Sequence, residues 1–185
     1  APGDFNSDGN ADILAKNSKG ELFFYAGNGK GTFANGIRVG HGWGPYDIIP
    51  AGDVTGDGIP DVLAIKQATG ELFYYAGNGR GGFAGVLTKN GQGWTNVNLY
   101  PAGDLNGDGN SDILSIRRDG TLHTHYGRGD GGFRKSFQSG QGWGAYSLFA
   151  GSDGNNDGRA DLYGRAPNGD FYFYAGKEGG FRAAV

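Results

Sequence analysis

The residues of this chain best suited to chemistry come in four copies of one acidic pattern, D-x-[NT]-x-D-G-x-x-D. The copies supply Asp4, Asn6, Asp8 and Asp12; Asp53, Thr55, Asp57 and Asp61; Asp104, Asn106, Asp108 and Asp112; and Asp153, Asn155, Asp157 and Asp161. Oxygen side chains at positions 1, 3, 5 and 9, with glycine at 6 for a sharp turn, match the opening of a calcium loop. The backbone carbonyls at position 7, those of Asn10, Ile59, Asn110 and Arg159, would complete each set. The pattern predicts up to four calcium ions. Four side-chain oxygens and a carbonyl leave little room for a substrate, so these ions are expected to be structural.

A second group could hold a ligand. Trp43, Trp94 and Trp143 each end a Gly-x-Gly-Trp tetrapeptide, with His41, Gln92 and Gln141 two residues earlier. An indole flanked by glycine is uncrowded by neighbouring side chains, and sugars stack on such faces while a nearby imidazole or amide makes polar contacts. The competing reading buries each indole as core between repeats. His123 and His125 form a third candidate, on one strand face at i and i+2. That geometry suits a transition metal, but no third ligand is evident, and a hydrogen-bonded strand face is the simpler expectation.

The elements that position these residues follow from the spacing. Loop and tryptophan both recur every ~50 residues, a period that means a solenoid, propeller or array. Between loops the sequence alternates with period two and is rich in β-formers. Asp61 to Lys66, a turn at Ala68-Thr69-Gly70, and Glu71 to Ala76 read as a hairpin. A Gly-rich turn, a strand from Phe83 to Thr88 and one from Val97 to Ala102 complete the unit. Four antiparallel strands per repeat, repeated radially, make propeller blades. The expectation is an all-β, four-bladed β-propeller of ~49-residue repeats, one domain over residues 1–185, with repeats at 1–43, 44–94, 95–143 and 144–185.

Pro-Ala-Gly-Asp-x-[NT]-Gly-Asp-Gly-x-x-Asp followed by an aliphatic strand resembles the FG-GAP/VCBS-type repeat, over essentially the whole chain. That resemblance implies β-propellers with calcium in the loop joining the first two strands of each blade. The Gly-x-Gly-Trp and Tyr-Ala-Gly-Asn-Gly elements are similar to those of secreted actinobacterial repeat modules and propeller lectins. The Gly-Ala-Pro signature of integrin-type blades is missing from three repeats, so integrin-like adhesion is not expected. The first repeat starts at its loop, where Ala1-Pro2-Gly3 stands in the place of Pro50-Ala51-Gly52. The first blade is therefore expected to lack one strand, and the open edge to invite a homo-oligomer.

Composition narrows the function classes. There are 40 glycines and 6 prolines, but 12 phenylalanines, 10 tyrosines and 3 tryptophans recur periodically, which suits tight turns between packed strands rather than disorder. Loop aspartates make up most of the 19 acidic residues behind a formal net charge of -3. The 16 basic residues are scattered singly, which does not suit nucleic acid. Cysteine is absent, so neither disulfides nor zinc-thiolate sites are available. No run approaches a membrane helix. Weak oxygen sites load where calcium is near millimolar, so a secreted, extracellular protein is expected. No nucleophile elbow, zinc-protease motif or phosphate loop appears, and the function expected is binding, to glycan or to a secreted or cell-surface protein.

Overall fold

The computed structural model describes residues 3–85 and 88–184. It divides into two compact units, Ala1–Thr95 and Asn96–Val185. In the first unit, β1 (Ile13–Lys16), β2 (Leu22–Tyr25) and β3 (Ile37–Gly40) form a three-stranded antiparallel sheet in sequence order. They are followed by the four-stranded meander β4 (Tyr46–Gly52), β5 (Asp61–Lys66), β6 (Glu71–Tyr75) and β7 (Thr88–Gly91). The second unit repeats the theme with β8 (Asn98–Gly103), β9 (Asp112–Ile116), β10 (Leu122–His125) and β11 (Phe137–Gly140). After these come β12 (Ser147–Ser152), β13 (Asp161–Arg165) and β14 (Phe171–Tyr174), and a separate hairpin of β15 (Gly176–Lys177) and β16 (Gly180–Phe181). These four sheets are the blades of the all-β repeat. Among the described residues there is no helix long and apolar enough to cross a membrane.

The first blade has three strands, and only an isolated bridge from Gly3 to Asp12 stands where a leading strand would lie. The fourth blade's sheet, β12–β14, also has three strands, and β15–β16 pairs Gly176 with Phe181 as the bridges Gly27–Phe33, Gly77–Phe83 and Gly127–Phe133 do in the other blades. One expectation needs correction. The last strand of the second blade starts at Thr88 and not at Phe83, because Phe83 is spent closing a tight turn. It bridges Gly77, and Ala84 donates to the Ala76 carbonyl at 2.8 Å. Inside that turn the Asn78 side-chain oxygen accepts from the N–H groups of Arg80 and Gly82. Val86 and Leu87 of the expected strand, like Ala1, Pro2 and Val185, lie outside the described residues.

Strand alternation places two faces on each blade. In the first unit Leu14, Leu22 and Phe24 on one face of the first blade pack against Ile48, Val62, Ala64 and Tyr75 of the second. In the second unit Leu114, Ile116 and Leu122 of the third blade pack against Leu148, Ala160 and Leu162 of the fourth. Each unit thus buries its core between consecutive blades. A fully buried Leu or Val contributes about 1.5–3 kcal/mol, so these seams hold the unit together.

Candidate ligand-binding site

The Gly-x-Gly-Trp link is held by its own blade. Trp43 N–H donates to the Gly20 carbonyl at 2.9 Å, Trp94 to Gly70 at 3.0 Å, and Trp143 to Gly120 at 2.9 Å. Each acceptor is the last residue of the turn between the two strands that follow the acidic loop, and it adopts a left-handed φ of 64 to 78°, which glycine takes without strain. The indoles then lie over glycine. A Cβ on Gly40 would strike the Trp43 ring, and one on Gly140 the Trp143 ring.

Burial separates the three tryptophans. Trp43 is 5% exposed and Trp143 9%. Trp43 packs on Tyr75 with ring centroids 4.4 Å apart and on Phe83 at 5.6 Å. Trp143 repeats this on Tyr174 at 4.9 Å. Neither offers the open indole face that flanking glycines suggest, because the next blade in the same unit supplies a tyrosine to cover it. Trp94 is half-buried, and His41, Gln92 and Gln141 are exposed.

Trp43 nevertheless borders open space. A cavity of about 380 Å³ is lined by Val39, Gly40, His41, Trp43, Tyr75, Phe83 and Gly85. It has an aromatic floor and walls, an imidazole at its rim, and a tyrosine hydroxyl whose pKa burial and the nearby Tyr46 push upward. Apolar lining with a few polar groups is the usual make-up of a small-molecule site. Of its walls, Tyr75 occupies the strand position that Tyr25 and Tyr174 hold in their repeats, a repetition visible in the sequence. Phe83 carries only a weaker signal, a phenylalanine after the same Gly-rich turn at Phe33, Phe133 and Phe181.

The acidic loops divide into two roles. The position-9 aspartates are buried, at 0 to 1% exposure. Asp12 accepts from Phe5 N–H at 2.7 Å, Asn6 N–H at 3.2 Å and Gly27 N–H at 2.9 Å. Asp61 does the same with Val54, Thr55 and Gly77, and Asp161 with Gly154, Asn155 and Gly176. Asp112 accepts from Leu105 and Gly127. Burial pushes the Asp112 carboxyl up to about 6 against these donors, helped by the charges of Asp104 and Asp108. This carboxylate ties the loop to the strand that returns beside it.

Positions 1, 3 and 5 stay at or near the surface. Asp4 accepts one N–H on each oxygen, from Asp8 at 2.9 Å and Gly9 at 2.7 Å, and the Asn6 amide donates to Asp8 at 2.9 Å. The Asn6 amide and the Asn10 backbone N–H hold the Asp8 carboxyl below its usual range. A carboxylate offers about four lone-pair sites, so Asp4 and Asp8 keep capacity for a hard cation, and the oxygen-only donor set suits calcium. Position 9 fits less well, since up to three N–H groups already occupy it. Among the described residues no three acidic or histidine side chains gather as a metal cage. In the third loop Arg134 also lies 3.2 Å from Asp108.

The histidine pair is built for hydrogen bonding. His125 is 7% exposed, and its Nε2 lies 2.9 Å from Ser115 Oγ. His123 Nε2 lies 3.2 Å from Thr121 Oγ1. Burial drives His125 down to about 4, with His123 and Arg117 adding.

The FG-GAP-like repeat pattern matches residues 4–64, 53–115 and 104–164, each match running from one acidic loop through the next. Among solved structures, the chain resembles a lectin from Agrocybe aegerita that specifically recognises non-reducing terminal N-acetylglucosamine. The TM-score is 0.70 at 25% identity, covering 99% of this chain and 50% of that one. This chain therefore spans half the length of that lectin. Among curated protein sequences nothing matches. The repeats and this likeness together give the fold class, a β-propeller of FG-GAP-like blades.

Proposed function

This chain belongs to the FG-GAP-like repeat family, and we propose that it is an extracellular, calcium-stabilised propeller module that binds carbohydrate and is not an enzyme. The observation that carries this reading is the aromatic cavity on Trp43, in a chain whose fold resembles a lectin. The apolar C–H face of a sugar would lie against Tyr75 and Phe83 with Trp43 as floor, and His41 would hydrogen-bond a hydroxyl or acetamido group at the rim. Trp143 with Tyr174 and Gln141, and Trp94 with Gln92, are the repeated counterparts. Several weak equivalent sites gain avidity on a surface dense in glycans. Calcium belongs to the proposal at positions 1, 3, 5 and 7 of the loops, as does a homo-oligomer.

Titration with N-acetylglucosamine and a broad sugar panel, followed by tryptophan emission, tests the reading. A saturable change is expected, weakened about tenfold or more by Tyr75→Ala, the loss of one stacking wall. No response to any sugar would sink it. The burial of Trp43 and Trp143 favours one alternative, an interaction or accessory domain of a larger secreted hydrolase whose Gly-rich turns meet a protein. That alternative gains if sugars are silent while a protein partner binds with the indole emission unchanged.

A further inference from the structure

The four acidic loops share a pattern but differ in how far the chain's own donors fill them. Among the described residues, Asp4 of the first loop accepts from the N–H groups of Asp8 and Gly9, and Asp153 of the fourth from those of Asp157 and Gly158. Asp53 of the second loop accepts from Gly56, Asp57 and Gly58. Asp104 of the third accepts from all of Asn106, Gly107, Asp108 and Gly109. Asp108 is as heavily engaged. It accepts from the Asn106 amide at 3.1 Å, the Asn110 N–H at 3.0 Å, the Asn110 amide at 2.9 Å and the Arg134 guanidinium at 3.2 Å. Its counterpart Asp157 accepts from the Asn155 amide and the Arg159 N–H. A carboxylate offers about four lone-pair sites, so the donors around Asp104 and Asp108 already use the capacity that the first and fourth loops retain.

Charge separates the third loop further. Arg134 follows Phe133 after the Gly-rich turn, where its own N–H donates to the Tyr126 carbonyl at 2.8 Å. The first and second blades place Ala34 and Ala84 there, with the same bond to Ala26 and Ala76, and the fourth places Arg182. Among the described residues, the ion pair of Arg134 with Asp108 is the one that reaches an acidic loop. A second guanidinium comes from the next blade of the same unit, where Arg159 donates to the Asn106 carbonyl at 3.0 Å and the Leu105 carbonyl at 3.4 Å. A dication entering this loop would have to displace donors from both aspartates and would sit beside two positive charges that repel it. We propose that the third loop is closed by its own donors, with Arg134 as a built-in counter-ion, and takes up calcium last and most weakly of the four. This rests on the calcium reading of the loops and deepens it: the metal belongs chiefly to the first, second and fourth, while the third keeps its shape without it.

Amide NMR of the full-length chain, stripped of metal and titrated with calcium chloride at low salt, tests this loop by loop. Gly9, Gly58, Gly109 and Gly158 each donate to the first aspartate of their own loop, so each reports one site. The signals of Gly9, Gly58 and Gly158 are expected to shift with a Kd of ~0.1–1 mM. Gly109 should follow with a Kd at least about fivefold higher. Arg134→Gln removes the charge from a side chain that is 58% exposed. It should lower the Gly109 constant at least about threefold and leave that of Gly9 unchanged. A Gly109 signal that titrates together with Gly9 in the wild type would overturn the proposal, as would a Gly109 constant indifferent to Arg134→Gln. Four glycines that all stay still would overturn it in a different way, by removing calcium from every loop.

Discussion

At the residue scale, two side chains that resemble functional groups turn out to be fixed by burial. His125 occupies the strand position filled by Tyr25, Tyr75 and Tyr174, and its imidazole is held neutral, with a pKa of about 4, in a site closed over Ser115. Its folded pKa lies below the unfolded value near 6.5, so the neutral imidazole contributes stability above pH ~6.5, and this is lost as pH falls toward ~4. His125→Gln, which keeps a polar partner for Ser115 but cannot titrate, should reduce the loss of stability between pH 7 and 4.5 by about 2–3 kcal/mol, read from denaturant melts of both proteins. Asp61 is the second case. Asp61→Asn keeps the shape but gives up one acceptor oxygen for a donor facing buried N–H groups, and should cost about 2–4 kcal/mol. An unchanged midpoint would show that the carboxylate brace is dispensable.

At the element scale, glycine decides where strands end and how closely elements approach. Gly77 and its counterparts Gly27, Gly127 and Gly176 each sit against the backbone carbonyl before the position-9 aspartate, where a Cβ would collide. That contact fixes the distance between loop and Gly-rich turn. Gly40 has the same role beneath Trp43. Gly40→Ala should destabilise by about 1–3 kcal/mol through overpacking, and by tilting the indole it should also weaken any ligand seated on Tyr75. Thermal melts read the first effect and a sugar titration the second.

At the scale of the whole molecule, stability is divided between blade seams and acidic loops. At about 1 mM calcium and a Kd of ~0.1–1 mM, each loaded loop would add roughly 0.4–1.4 kcal/mol. Chelation should therefore lower the melting temperature reversibly without unfolding the protein at 25 °C, because the position-9 carboxylates close the loops with backbone donors alone. A melting curve identical in EDTA and in calcium would remove the metal from the proposal.

The repeat and the strand pairing were legible in the sequence, because period-two alternation and glycine at left-handed positions are local properties of the chain. The sequence also marked the acidic loops and the tryptophan links. Only the tertiary structure decided their roles. Burial depends on what the neighbouring blade supplies, so Tyr75 and Phe83 turned Trp43 from an open platform into the floor of a cavity. Backbone donors from Phe5, Asn6 and Gly27, which no side-chain pattern reveals, made Asp12 a brace.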